Sequence, residues 1–191
     1  MSERANDADP IAVAKENLRT ELKTRRRTAT VGRDRAEDAQ ALALDALRVA
    51  HEAGLGGGSW VAAFESTASE PPMEALVDAL RGRGIRVMVP ITQDDWDLDW
   101  REVGTDAPLG AEAVAQAKVV FVPAQAVDLR GHRLGRGKGC YDRALPRTTA
   151  LLVAVVHPWE VLDRPVPHAT HDRTVHAVIA AGLGVRHLPV T

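Results

Sequence analysis

The stretch from Asp128 to Asp142, DLRGHRLGRGKGCYD, alternates glycines with cationic side chains. Its glycines can make tight turns, and their N–H groups can point inward as an anion-binding nest. Three cations add positive charge around the same backbone: Arg133, Arg136 and Lys138. This combination favours a cradle for phosphate groups. A solvated basic hairpin turn is the alternative that the residue types alone leave open.

Two familiar phosphate motifs do not fit this chain. A P-loop with Lys138 as its lysine requires glycine where His132 stands, and Ser or Thr where Gly139 stands. The stretch Gly54–Ser59, GLGGGS, approaches the GxGxxG pattern, but it ends in serine and follows a helical pattern instead of a strand. We interpret residues 54–59 as a loop that ends a helix.

Two aspartates lie where they could bind a metal ion together with a nucleotide. Asp142 directly follows the glycine-rich stretch, and Asp172 precedes the last predicted strand. A Mg²⁺ ion bound with a nucleotide takes one or two carboxylates and completes its shell with phosphate oxygens and waters. The pair is therefore a candidate Mg²⁺ site, and helix-cap or turn aspartates are the alternative.

Basic residues near the N-terminus allow two interpretations. Lys15 and Arg19 are four residues apart and share one face of a predicted helix, from which they could reach a phosphate. A solvated helix face is the alternative. The run Arg25–Arg27 suggests RNA binding, but no further basic cluster with interleaved aromatic residues supports that hypothesis.

The histidines and the cysteine point to no metal or nucleophile site. His168, His171 and His176 have spacings of three and five residues, which match no zinc motif, so we reject a zinc site. Cys140 has no identifiable catalytic partner in the sequence, which favours a packed small side chain over a nucleophile.

Alternating helical and apolar segments must position these residues. Spacing and breakers predict helices over residues 11–27, 35–53, 72–83, 110–117 and 141–145. Short apolar runs predict strands over residues 60–64, 85–90, 98–100, 119–122, 151–156 and 174–180. This alternation predicts an α/β fold of three layers, a mostly parallel sheet flanked by helices in a single domain. Residues 1–10 are expected to form a flexible lead-in, and residues 11–191 the domain.

Composition excludes several classes of protein. With 191 residues, 45% hydrophobic and 26% charged, the chain is ordinary globular protein, and a net charge of −2 provides no overall attraction for nucleic acid or membrane. One cysteine excludes an internal disulfide. The longest apolar run, residues 150–156, is far shorter than the ~20 residues of a spanning helix. No secretory signal is visible, so we expect a soluble, cytoplasmic protein. We also expect it to be a monomer.

These features together resemble the 5-formyltetrahydrofolate cyclo-ligase family, also called 5,10-methenyltetrahydrofolate synthetases. The family's opening helix carries Lys-x-x-x-Arg, as at residues 15–19 here. Residues 122–145, VPAQAVDLRGHRLGRGKGCYDRAL, resemble its signature of a Val-Pro strand end, Asp, Gly and Arg-Leu-Gly-x-Gly-x-Gly-Tyr-Tyr-Asp. His171–Asp172 resembles its C-terminal histidine–aspartate, and residues 84–90, with Glu70 upstream, resemble its folate-side segment. The resemblance covers about residues 15–180.

The resemblance implies an enzyme that uses ATP and Mg²⁺ to convert 5-formyltetrahydrofolate to 5,10-methenyltetrahydrofolate, with release of ADP and phosphate. The formyl oxygen would be phosphorylated, and N10 of the folate would then attack and close the ring. Arg136 and Lys138 would be the catalytic residues, because they would stabilise the transferring phosphoryl group. The implied ATP contacts are Lys15, Arg19, Arg133, Leu134, Gly135, Arg136, Gly137, Lys138, Gly139, Cys140 and Tyr141.

The same resemblance assigns the remaining site residues. Glu70 and Tyr141 would contact the pterin side of the folate substrate. Asp142 and Asp172 would hold the Mg²⁺ ion. The partners implied are thus two small molecules, ATP and 5-formyltetrahydrofolate, and neither nucleic acid nor membrane.

Two positions depart from the family pattern. Cys140 stands where the first tyrosine of the usual pair is expected, and Met73 stands where a threonine follows the glutamate by three residues. These departures leave a second hypothesis open, in which the protein binds ATP or folate without cyclo-ligase turnover.

Overall fold

Ten strands and four α-helices are present in the computed structural model, which describes residues 9–170 and 172–189. The α-helices are α1 Pro10–Ala29, α2 Arg35–Glu52, α3 Glu74–Gly82 and α4 Cys140–Ala144. The strands are β1 Trp60–Ala62, β2 Arg86–Thr92, β3 Leu98–Glu102, β4 Ala117–Pro123, β5 Ala126–Asp128, β6 Arg133–Leu134, β7 Leu151–Val155, β8 Val161–Leu162, β9 Ala177–Ala180 and β10 Gly184–His187.

Seven of the strands form one sheet in the order β10-β9-β7-β4-β1-β2-β3. The five central strands are mutually parallel, while β3 and β10 pair antiparallel at the two edges. The central strands are short apolar runs because both faces of a parallel sheet are covered. The predicted α/β class with a mostly parallel sheet is therefore confirmed.

Separate hydrophobic layers cover the two faces of this sheet. On one face, α2 and α3 contribute the buried side chains of Leu42, Val49 and Leu76. On the other face, the buried Trp100 and Leu145 pack with alternate residues of β4 and β7. Successive side chains of a strand point to opposite faces of the sheet, so each apolar strand contributes to both hydrophobic layers. This agrees with the predicted three-layer arrangement.

Most predicted elements exist, with changed boundaries. Helix α1 begins at Pro10, the last residue of the predicted lead-in. Asp9 caps the helix, because its side chain accepts a 3.0 Å hydrogen bond from the Ile11 N–H. Residues 1–8 lie outside the described residues. Helix α3 begins after the predicted Pro72, and the predicted helix over 110–117 is a 3-10 helix, Ala111–Gln116. The loop predicted over residues 54–59 is confirmed.

A second, three-stranded sheet in the order β6-β5-β8 was not predicted. Its strands have only two or three residues each, too short for a periodic pattern to show. Strand β6 lies within the glycine-rich stretch Asp128–Asp142, and β5 ends at its first residue, so this small sheet fixes the first half of that stretch. Strand β10, at the edge of the main sheet, was also missed.

A buried ion pair attaches α1 to the small sheet. Arg26 Nε lies 2.7 Å from Glu160 Oε1, and Arg26 Nη2 lies 2.9 Å from Glu160 Oε2. Beside this pair, Leu18 and Leu22 pack against Ala126 and other apolar side chains of the small sheet. Because Arg26 is buried, Arg25–Arg27 is not a continuous basic surface, which removes the basis of the RNA hypothesis.

None of the helices in the described part of the chain is both long and apolar enough to cross a membrane. The monomeric state and the cytoplasmic location stay predictions.

Removing one partner of the buried pair should be costly. Arg26→Ala leaves the Glu160 carboxylate, which is fully buried, without its guanidinium, so the free energy of unfolding should fall by about 3–5 kcal/mol. Arg164→Ala is the matched control, because Arg164 pairs with Glu21 at a half-exposed surface site. Its loss should cost at most ~1 kcal/mol. Urea unfolding measures both, and equal effects would contradict the role of the Arg26–Glu160 pair.

Candidate active site

A cleft of about 460 Å³ opens where the parallel strands β1, β2 and β4 end. Segments that follow these strands form its walls, together with α1 and the glycine-rich stretch. In an α/β sheet, the carboxyl ends of the strands are the usual place for ligands. All the predicted site residues line this cleft: Lys15, Arg19, Glu70, Arg133, Leu134, Gly135, Arg136, Gly137, Lys138, Gly139, Cys140, Tyr141, Asp142 and Asp172.

The carboxylate of Asp128 fixes the start of the glycine-rich stretch. It accepts hydrogen bonds from the backbone N–H groups of Arg130 at 2.9 Å, His132 at 3.0 Å and Val166 at 2.9 Å. Burial alone raises the pKa of Asp128, but these backbone donors outweigh it, so the pKa lies below its usual value. In the sequence, Asp128 is only the first residue of the glycine-rich stretch, and no local pattern indicates this structural role.

Three glycines of the stretch adopt conformations that other residues avoid. Gly131, Gly137 and Gly139 have φ values of 88°, 95° and 71°. A Cβ on Gly131 would lie 2.5 Å from the carbonyl oxygen of Val175, because the two backbones pack directly against each other. A Cβ on Gly137 would lie 3.2 Å from Cζ of Arg19. Glycine is therefore needed for the turn at all three positions, and at Gly131 also for the close approach of two backbones.

Ion pairs join the walls of the cleft. Lys15 Nζ of α1 lies 2.5 Å from Asp172 Oδ2. Arg133 pairs with Asp142, the two residues standing on either side of the glycine-rich turn. In addition, Arg19 Nε donates to the carbonyl of Gly135 at 3.0 Å, which ties α1 to the stretch itself. The basic residues of α1 are thus part of the cleft and do not form a solvated face.

Glu70 lies opposite the glycine-rich stretch and is only 6% exposed. Its Oε2 accepts hydrogen bonds from the Thr67 N–H at 2.8 Å and the Thr67 hydroxyl at 3.0 Å. Its Oε1 lies 2.6 Å from Nη2 of Arg136, which crosses the cleft to reach it. Arg35 of α2 donates to the carbonyl of Glu70 at 2.7 Å and holds this segment in place.

Two buried polar atoms of the cleft residues have no hydrogen-bond partner among the described residues. They are the hydroxyl oxygen of Tyr141 and Oε1 of Gln125. Burial raises the pKa of Tyr141, and the nearby Glu70 carboxylate raises it further. The phenol therefore stays protonated at neutral pH and can donate a hydrogen bond to a ligand. Gln125 had no distinguishing sequence signal.

The histidines of this region have structural roles in the described part of the chain. The rings of His132 and His168 stack with centroids 3.5 Å apart. Nδ1 of His176 accepts a hydrogen bond from the Leu152 N–H at 2.8 Å. No three His, Cys, Asp or Glu residues among those described are grouped to hold a metal ion. His171, part of the rejected zinc set, lies outside the described residues.

Comparison with known proteins identifies a family. The sequence model of the 5-formyltetrahydrofolate cyclo-ligase family matches residues 11–181. A curated protein of Mycolicibacterium smegmatis (strain ATCC 700084 / mc(2)155), named 5-formyltetrahydrofolate cyclo-ligase, is 35% identical over 195 residues, which cover 90% of this chain and 96% of that protein.

Solved structures show the same fold. A 5,10-methenyltetrahydrofolate synthetase from Mycoplasma pneumoniae superposes with a TM-score of 0.70 at 18% identity, covering 86% of this chain and 97% of that chain. The NMR structure of the Aquifex aeolicus 5,10-methenyltetrahydrofolate synthetase gives a TM-score of 0.68 at 22% identity, with 93% and 94% covered. At these identities the likeness establishes the fold.

Substituting the close-contact glycine should disrupt the site. Gly131→Ala places a Cβ against the Val175 carbonyl and forces alanine into a left-handed conformation. The free energy of unfolding should therefore fall by at least about 1–2 kcal/mol. Gly135→Ala is the control, because its Cβ would meet no atom within 4 Å and its φ is ordinary. It should shift stability by at most ~0.5 kcal/mol. Thermal unfolding measures both, and a tolerated Gly131→Ala would refute the close packing.

The Asp128 hydrogen bonds should make stability depend on pH. Because the folded pKa lies below the unfolded value near 3.8, the contribution is present above that pH and is lost as the pH falls towards the folded pKa. Asp128→Asn should cost about 1–3 kcal/mol at pH 7 and flatten the acid limb of stability against pH. Unfolding curves between pH 7 and pH 3 measure this. An unchanged acid limb would rule out Asp128 as its source.

Proposed function

The chain belongs to the 5-formyltetrahydrofolate cyclo-ligase family and is an enzyme of that type, and from this premise we propose its full reaction. The substrates are 5-formyltetrahydrofolate and ATP, and the products are 5,10-methenyltetrahydrofolate, ADP and phosphate. The observation that carries the proposal is that one cleft is lined by the cations of α1 and of the glycine-rich stretch together with Glu70 and Tyr141.

The reaction must remove an oxygen from a formamide, and that oxygen is a poor leaving group. Transfer of the γ-phosphoryl group of ATP to the formyl oxygen converts it into a phosphate ester. N10 of the folate then attacks the formyl carbon, loses its proton, and expels the oxygen as inorganic phosphate. The protein therefore has to position two substrates and balance the charge of the moving phosphoryl group.

The ATP phosphates would lie against the glycine-rich stretch. Its backbone from Arg133 to Tyr141 approaches the cleft closely, because glycines remove side chains at every second position. Lys15 and Arg19 reach the same space from α1. The Asp172 carboxylate holds Lys15 and the Gly135 carbonyl holds Arg19, so each cation is in place before a ligand arrives.

Arg136 and Lys138 would stabilise the phosphoryl group during transfer. Arg136 is half-exposed and already spans the cleft to Glu70 and Thr67. A guanidinium in that position lies between the predicted ATP side and the predicted folate side. To bind the phosphoryl oxygens, it exchanges part of its contact with Glu70 for the developing negative charge.

Glu70 and Tyr141 would bind the pterin side of the folate. A carboxylate accepts hydrogen bonds from ring N–H and amino groups, which pterins provide. The buried Tyr141 hydroxyl offers a donor that no described protein group uses. Together they present an acceptor and a donor to the same cleft.

Asp142 and Asp172 fit a Mg²⁺ ion that is bound with a nucleotide. Both line the cleft, and two carboxylates with phosphate oxygens and waters complete the shell that Mg²⁺ prefers. Their pairing with Arg133 and Lys15 places cations beside the same phosphates. The ion, when bound, supplies charge neutralisation for the triphosphate.

The alternative, binding without turnover, depends on two departures from the family pattern. Met73 is 1% exposed and belongs to the core beneath α3, where it caps the helix without a side-chain hydrogen bond. Cys140 is half-buried and lines the cleft beside Tyr141. Of the two, only Cys140 can change ligand contacts directly.

Turnover is tested by the absorbance of methenyltetrahydrofolate, which should appear only when 5-formyltetrahydrofolate, ATP and Mg²⁺ are all present. A folded protein that binds ATP and produces no methenyl product would overturn the proposal. Cys140→Tyr then separates the causes, because a large gain of activity would indicate a decayed site.

Loss of the Arg136 guanidinium, which bridges the cleft to Glu70, should greatly lower kcat. Arg136→Ala should lower kcat by about 10²–10³-fold, because it removes charge stabilisation at the transferring group, with little change in unfolding. Arg130→Ala is the matched control, since that exposed arginine starts the same stretch and does not line the cleft. A wild-type kcat in Arg136→Ala would remove its assigned role.

A further inference from the structure

The cations of the cleft differ in how their charge is balanced. Five cationic side chains line it, and four of them pair with carboxylates: Lys15 with Asp172, Arg19 with Glu16, Arg133 with Asp142, and Arg136 with Glu70. Lys138 is the fifth. Within residues 9–170 and 172–189, no carboxylate forms an ion pair with it.

The neighbour of the Lys138 ammonium is an aromatic ring. Nζ of Lys138 lies 4.4 Å from the ring centroid of Trp96, within the range of a cation–π interaction. Trp96 is 44% exposed and lines the cleft, so it is not a core residue. Sequence reasoning assigned no role to this tryptophan.

The backbone of Trp96 is held in an unfavourable conformation. Its φ of 65° is the only positive value at a non-glycine residue of the described chain. Such a conformation is a genuine outlier for a bulky side chain and persists only where surrounding contacts enforce it. Two backbone hydrogen bonds in the turn between β2 and β3 enforce it. The Trp96 N–H donates to the Gln93 carbonyl at 3.0 Å, and the Gln93 N–H donates to the Asp97 carbonyl at 2.9 Å.

An ionic clamp fixes this turn relative to the glycine-rich stretch. Asp97 accepts two hydrogen bonds from Arg147, at 2.8 Å and 2.7 Å, and these lower the pKa of its carboxyl group. Arg147 Nε also lies 3.2 Å from Glu112. Because Arg147 follows α4, the helix into which the glycine-rich stretch runs, the clamp sets the position of Trp96 relative to Lys138.

An indole face and a carboxylate hold a lysine in different ways. A carboxylate fixes the ammonium but neutralises it and competes with a phosphate. An aromatic face attracts the cation through its quadrupole and adds no formal negative charge. We infer that Trp96 is a positioning residue, which holds the Lys138 ammonium in the cleft with its charge uncompensated. This inference rests on the proposed function, in which that charge acts on the transferring phosphoryl group.

A pair of equally sized substitutions tests the inference. Asparagine and aspartate both tolerate the left-handed conformation and have the same shape, so Trp96→Asn and Trp96→Asp differ only in charge. Trp96→Asn should lower kcat by about 2–30-fold, since it removes the cation–π contact. Trp96→Asp should lower kcat by a further ~2–5-fold, because its carboxylate neutralises Lys138. A purely structural role for Trp96 predicts equal losses in the two variants.

Further readouts separate positioning from folding. Trp96→Phe keeps an aromatic face and should restore kcat to within about threefold of wild type. The losses should appear in kcat and in KM for ATP, with KM for 5-formyltetrahydrofolate unchanged. In a Lys138→Met background, Trp96→Asn should add no further loss, because both substitutions remove one interaction. Additive losses would show that Trp96 acts independently of Lys138 and would overturn the inference.

A binding measurement keeps this inference distinct from the proposed reaction. Adding a non-hydrolysable ATP analogue should change the tryptophan fluorescence as Lys138 moves towards the phosphates, and the change should vanish in Trp96→Phe and in Lys138→Met. That result supports the positioning role even if the wild-type protein shows no turnover. An active wild type whose Trp96→Asn, Trp96→Asp and Trp96→Phe variants keep the wild-type kcat would overturn the inference and leave the proposed function standing.

Discussion

The buried carboxylate of Asp128 is the interaction on which the geometry of the cleft depends. It accepts hydrogen bonds from backbone N–H groups of two segments, those of Arg130 and His132 in the glycine-rich stretch and that of Val166 in the segment that leads to Asp172. A single ionised side chain can satisfy several donors that a loop cannot satisfy through regular secondary structure. The two segments that carry the predicted Mg²⁺ ligands are therefore fixed to one another before any ligand binds.

Charge pairing then orients most of the cations that line the cleft. Carboxylates orient Lys15, Arg133 and Arg136, and this reduces the conformational entropy that a ligand would have to remove. The cost of this arrangement is reduced net attraction, since each pair is neutral. Lys138 lies against the ring of Trp96 and keeps its charge. The paired cations are thus preorganised, while Lys138 provides the uncompensated positive charge.

The parts of this structure that the sequence predicts are those with local signals. Apolar runs and helix breakers identified six of the seven strands of the main sheet, all except β10. The glycine-cation pattern identified a wall of the cleft, because both kinds of signal depend on neighbouring residues. The small sheet and the Arg26–Glu160 pair were missed, since the strands have two or three residues and the pair joins positions 134 residues apart. Trp96 was missed for the same reason, because its partner Lys138 is distant in sequence.

The two departures from the family pattern have different physical consequences. Met73 is buried in the layer beneath α3 and does not line the cleft, so its effect is confined to a helix start that lacks a side-chain cap. Cys140 begins α4 within the cleft, and its small side chain gives the ligand more room than the expected tyrosine would leave. Tyr141, with its unpartnered hydroxyl, remains beside it. The donor that we propose for the folate is thus retained, while Cys140 changes the shape of the cleft wall next to it.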